Sequence, residues 1–186
     1  MKKVKKVKIP SLKQCEKLIA AYEMPVQIRK HSEAVRRIAN ELAEKISKNK
    51  TKIDLDLVDR ASLMHDFLKM HCIKNKCRHA EEAGNVLSQK GFPEFGKIVK
   101  LHGLDEVNSF DAKTSIEAKV VWYADKRVSH DSVVTMEERY EYFRSKYGSV
   151  SEKRMREINS TWKNALKIEQ GLLELAGMDN DYLFGD

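Results

Sequence analysis

Ser62-Leu63-Met64-His65-Asp66-Phe67-Leu68-Lys69-Met70 sets a histidine beside an aspartate in an otherwise apolar run. The run reads as helix, and a helix that buries a stripe has no use for two groups that are costly to bury without partners. The same intrusion recurs on both sides of this stretch. A helix opening near Asp54 and running through Lys69 has Val58, Ala61 and Leu68 on its inner face, and His65 lies on that face. Upstream, a helix from Pro25 to about Lys48 repeats Ile28, Val35, Ile38, Leu42 and Ile46 at helical spacing, with His31 on the same stripe. Downstream, His79 heads a stripe with Ala83 and Val86 that Gly91 can stop. After Pro93, His102 continues the line of Phe95 and Ile98, and Asp125 sits between Val121 and Val128 in a helix that Ser115 can cap.

Three further segments carry no titratable intruder on their stripes. Ser11 can cap a first helix through about Ala21, another runs from Thr135 to Tyr147, and a closing helix spans about 151–175. Met155, Ile158, Trp162, Leu166 and Leu173 of that last helix are packing residues.

At 186 residues and 41% hydrophobic content, the chain suits one domain with a sizeable core. Eight Gly and three Pro favour an all-α chain over a sheet protein rich in tight turns. Residues 11–186 read as one compact helical bundle, preceded by a basic arm at 1–10. Lys2, Lys3, Lys5, Lys6 and Lys8 carry most of the net charge of +7, since the other 30 basic residues face 28 acids. A short basic tail reads as a solvated end, so nucleic-acid binding is not the expected role. No apolar run is long enough to cross a bilayer and no apolar signal segment follows the arm, so the expectation is a soluble, cytoplasmic protein without a membrane partner. Cys15, Cys72 and Cys77 read as reduced thiols: Cys72 and Cys77 lie in a Lys-rich loop, with no second Cys pair to close a zinc tetrahedron.

One histidine on an apolar face is ordinarily hydrogen-bonded to backbone, and His71 and His130 are read that way. Intruders on five helices are a different matter, because a divalent cation satisfies imidazoles and carboxylates together where the helices converge. The mixed donor set suits a transition metal such as Fe, Mn, Co, Ni or Zn better than calcium, and six donors leave room for one or two ions.

The ordered set His31, His65-Asp66, His79, His102, Asp125 resembles the HD-domain superfamily of metal-dependent phosphohydrolases in its six-ligand form. The flanking stretches MPVQIRKHSEAV, DLVDRASLMHDFLK, RHAEEAGNVLSQKGFPE, IVKLHGL and VVWYADKRV extend the resemblance over about 24–147. It implies an all-α fold with a metal site at the heart of the bundle. His31, His65, Asp66 and Asp125 match the primary ligands, His79 and His102 the extra ligands of members holding two ions, and Asp66 would bridge. Lys69, four residues after His65, matches a lysine that often follows the doublet and is a candidate phosphate contact; Arg127 and Arg29 are weaker ones. Glu82 reads as a surface helix former, and the chain departs from the family at Leu68, where a small residue is usual.

The expected activity is hydrolysis of a phosphoester or phosphoanhydride bond of a small, nucleotide-like substrate by metal-activated water. Two alternatives stay open: a di-iron oxygenase of the same fold, and a non-catalytic nucleotide-binding or regulatory module.

Overall fold

The computed structural model describes residues 7–179. Lys2, Lys3, Lys5 and Lys6 of the expected arm lie outside them. Residues 7–10 do not behave as a solvated end: Val7 and Ile9 pack on the body, Pro10 is buried, and the Lys8 ammonium stands 5.1 Å over the Phe92 ring.

Nine α-helices, two short 3-10 helices (Leu104–Ser109 and Gly148–Val150) and one two-stranded hairpin make up the regular structure among the described residues. The helices are α1 (Leu12–Ala21), α2 (Val26–Lys48), α3 (Leu55–Met64), α4 (Lys69–Asn75), α5 (His79–Gln89), α6 (Pro93–Lys100), α7 (Ile116–Lys126), α8 (Met136–Lys146) and α9 (Glu152–Ala176). Strands β1 (Val128–Ser129) and β2 (Ser132–Val133) pair antiparallel between α7 and α8. The fold is all-α, as the composition requires. Five of the nine helices are started by side-chain caps, of which Ser11 and Ser115 were expected. Ser11 and Thr135 form capping boxes with Gln14 and Glu138, and Asp54, Ser115 and Ser151 accept from Leu57, Ala118 and Arg154 amides.

Two apolar clusters fill the molecule. In one, Ile38, Leu42 and Ile46 of α2 meet Val120 and Trp122 of α7, Tyr140 of α8 and Ile158 and Leu172 of α9. In the other, Leu57, Leu63 and Met64 of α3 meet Phe67, Leu87, Phe95 and Val99, together with Ala118 and Val121 of α7. Successive residues of α7 therefore serve opposite clusters, which is why that helix is buried from Val120 through Lys126.

The expected helix from Asp54 to Lys69 is two helices. The ladder stops at Met64, residues 65–68 form turns, and α4 begins at Lys69. Residues 61–68 are all buried. A run buried on every side has no polar face whose rhythm could reveal a break. Leu68 is fully buried in the second cluster, so its bulk points into the core. The supposed loop after it is largely α4, and Cys72 is joined to Cys77 in a disulfide. That corrects the reading of both as free thiols and removes its support for a reducing compartment. Buried Cys15 remains a thiol, and burial pushes it up to about 11.

Helices α5 and α6 form a tight antiparallel pair. A Cβ at Gly96 would fall 2.5 Å from the Gly84 carbonyl oxygen, and one at Gly84 would fall 2.9 Å from that of Gly96. Close crossing there brings the start of α5 beside the residues that follow α6.

Candidate metal centre

The six candidate ligands converge from five places in the fold. His31 lies on α2, His65 and Asp66 in the turn after α3, His79 at the first position of α5, His102 two residues beyond α6, and Asp125 near the end of α7. Two of these positions differ from expectation. The doublet occupies a helix break rather than the body of a helix, and its His65 Nε2 and Asp66 Oδ2 lie 3.5 Å apart. His102 is not on a helical stripe; it sits in the turn that the crossing of α5 and α6 carries to His79.

The donors fall into two triads, His31 with His65 and Asp125, and Asp66 with His79 and His102. Within each, the ligand atoms lie within 4.8 Å of one another. His31 Nε2 is 3.0 Å, and His65 Nε2 3.5 Å, from Asp125 Oδ1. Asp66 turns Oδ1 toward the second triad, 3.1 Å from His79 Nε2 and 3.6 Å from His102 Nε2. Its Oδ2 faces the first, 3.5 Å from His65 Nε2 and 3.9 Å from His31 Nε2. This is the arrangement expected of a bridging carboxylate.

Backbone fixes the rings. Nδ1 of His31 donates to the His130 carbonyl, Nδ1 of His65 to that of Ser62, and Nδ1 of His102 to that of Val99, each at 2.7 Å. A carbonyl only accepts, so each Nδ1 bears a proton and each Nε2 is turned inward, as in metal-binding histidines. The His130 residue contributes through its carbonyl, held in place by a left-handed backbone at φ +57° in the β1–β2 turn.

Electrostatics favour a cation. Asp66 and Asp125 are almost completely buried. Burial alone would raise both carboxyls, but Lys69 and His65 beside Asp66, and Lys126, His31 and His65 beside Asp125, hold them well below the usual range. His65 is fully buried, and burial works against its charge; the two carboxylates outweigh it and push its imidazole up to about 9. Its Nε2 nevertheless has no hydrogen-bond partner, because both carboxylates are close enough to attract but not placed to accept. His102 goes the other way, to about 4, because burial dominates. An orphaned, buried imidazole nitrogen aimed at two carboxylates fits a metal ion, which would satisfy all of them at once.

Lys69 reaches Asp66 Oδ2 at 2.6 Å with its side chain 38% exposed, and so stands at the rim of the site. The two arginines do not join it. Arg29 is paired with Glu16 of α1 at 2.7 Å. Arg127 is turned away, bonding the Tyr123 hydroxyl at 2.5 Å, the Val134 carbonyl at 2.7 Å and Glu169 of α9 at 3.4 Å. Sequence reasoning missed Lys126, which is buried, contacts Asp125 Oδ2 and donates to the His102 carbonyl at 2.9 Å. It ties the two triads together, and only its adjacency to Asp125 signals it.

The family model for the HD domain matches residues 28–128, and all six ligands lie inside that span. The chain belongs to the HD-domain family. No curated protein and no solved structure matches it. HD domains are, as a superfamily, metal-dependent hydrolases, and the buried His and Asp groups of this HD domain are suited to divalent metal. Among the described residues, no helix of this HD domain is long and apolar enough to cross a membrane.

Proposed function

We propose that this HD domain is a metal-dependent phosphohydrolase acting on a phosphoester or phosphoanhydride of a small, nucleotide-like substrate. The supporting observation is the pair of triads joined by Asp66, with His65 Nε2 buried and unpartnered between two carboxylates. His31, His65 and Asp125 would hold one ion, and Asp66, His79 and His102 a second. Divalent ions there would make hydroxide accessible near neutral pH and neutralise charge on a phosphoryl group. Lys69, charged because Asp66 and Asp125 outweigh the cost of its burial, would meet a phosphate oxygen at the rim. The β1–β2 turn keeps His31 oriented through the His130 carbonyl, and Lys126 holds Asp125 against the His102 backbone.

The first test is metal analysis of protein purified without chelator or affinity tag, followed by a phosphoester panel with the metal found. About two transition-metal ions per chain are expected from the two triads, with metal and hydrolysis both lost in Asp66→Ala. No metal after reconstitution would overturn the assignment. Metal with oxygen consumption would favour the oxygenase, and tight nucleotide binding without turnover the regulatory module.

A further inference from the structure

Arginines that approach the interior of this protein are met by carboxylates. Arg36 and Arg60 share Asp59, Arg127 has Glu169, and Arg144 has Glu137. Arg139 of α8 is the exception. It is 9% exposed, yet no carboxylate of the described residues pairs with it, its Nε has no hydrogen-bond partner, and Nη1 reaches only the Ser129 hydroxyl, at a long 3.4 Å. Its guanidinium lies 4.5 Å from the Phe143 ring centre and 5.5 Å from that of Tyr142. Those rings solvate one face of the cation, but its Nε–H is buried without an acceptor and Nη1 has only the long Ser129 contact. A buried cation so poorly matched calls for an anion from outside the chain.

Its surroundings say which anion. Ser129 follows Asp125, Lys126 and Arg127 in β1, and it precedes His130, whose carbonyl orients His31. The His130 ring packs against Tyr142 at 5.9 Å, and Tyr142 against Tyr147 at 6.0 Å. Arg139 is near enough to act electrostatically on both Lys126 and Tyr147, and Lys69 acts on Tyr147 as well. The guanidinium thus sits against β1, one residue before the His130 carbonyl that orients His31, on a helix beyond the span that matches the family.

We propose that Arg139 is a phosphate-binding residue of this centre, its N–H edge taking an oxygen of the substrate's phosphoryl group while Lys69 meets the same group from the rim. A flat fork suits phosphate oxygens better than a lysine ammonium does. The inference rests on the phosphohydrolase reading and deepens it by assigning the phosphate contact to α8.

The experiment titrates inorganic phosphate into the metal-loaded full chain by calorimetry, for wild type, Arg139→Gln and Arg139→Lys, with metal content and p-nitrophenyl phosphate turnover measured on the same samples. Arg139→Gln is expected to weaken phosphate binding at least about tenfold, the loss of a charge-assisted hydrogen bond, with metal content unchanged. Arg139→Lys is expected to fall between the two, and it carries the test if the Gln variant fails to fold. Phosphate affinity within about twofold of wild type in both variants would overturn the inference and leave Arg139 a packing cation, with the hydrolase reading intact if turnover persists. A metal-loaded wild type that neither binds phosphate nor turns over any ester would overturn the parent reading and this one with it.

Discussion

Asp66 divides its two oxygens between two sets of imidazoles, which makes the ligands unequal. His79 is the half-exposed member of the second triad, with its side chain 36% exposed, and no ligand of the first triad depends on it. His79→Ala is therefore expected to lower metal content from about two ions to about one, whereas Asp66→Ala affects both. Elemental analysis of the two variants side by side checks this, and equal losses would show that the triads do not load separately. At this scale the sequence was legible for the candidate ligands His31, His79 and Asp125, because a histidine or an aspartate on the apolar stripe of a helix is conspicuous, whereas His65, Asp66 and His102 were picked out from stripes that end before them. It was silent on Lys126, Arg139 and Glu169, since long charged side chains on helices are ordinarily solvated and spacing does not reveal which of them fold inward.

The elements position these residues through contacts with little tolerance. Gly84 and Gly96 let α5 and α6 meet backbone to backbone, and the atom a Cβ at Gly96 would strike is a carbonyl oxygen that cannot swing aside. Gly96→Ala is expected to cost about 2 kcal/mol by overpacking. Because the same crossing sets His79 beside His102, 3.1 Å between their Nε2 atoms, it should also weaken the second metal site. Urea unfolding and metal content together test the point; a loss of stability without a loss of metal would mean that the histidines are held independently of the crossing. Helix starts were readable from Ser11, Asp54, Ser115, Thr135 and Ser151 because side-chain caps are local chemistry. The break at 65–68 and the departure of His102 from its helix were not. Both are set by how the two apolar clusters close around the site, which is tertiary information. The Cys72–Cys77 bridge was hidden for a similar reason, since only the α4 turn brings two cysteines five residues apart into bonding range.

Over the whole molecule, α2 is fastened to α3 by Asp59, which accepts from Arg36 at 2.7 and 3.0 Å and from Asn40 at 2.7 Å. Burial alone would raise this carboxyl, but Arg36, Asn40 and Arg60 hold it below its ordinary 3.8. A lowered carboxyl contributes stability that is present above the unfolded value and is lost as pH falls through the folded one. The protein is thus expected to lose stability on acidification below about pH 4, and Asp59→Ala to cost about 2 kcal/mol at neutral pH by removing charge-assisted hydrogen bonds, with Arg36 left to Glu33 and Arg60 to Asp56. Acid melts of wild type and Asp59→Asn measure the first effect, and a variant with an unchanged acid limb would refute the assignment to this staple. Thiol counting on denatured, unreduced protein should find Cys15 alone, and three reactive thiols would show the Cys72–Cys77 bond unformed.

Helix α7 lends Val120 and Trp122 to one apolar cluster and Ala118 and Val121 to the other, with Asp125 at the seam. Neither half of the protein can open while the other stays shut unless that helix is abandoned. Its backbone amides should then be the last to trade hydrogen for deuterium, all at one rate, the clock of whole-chain unfolding.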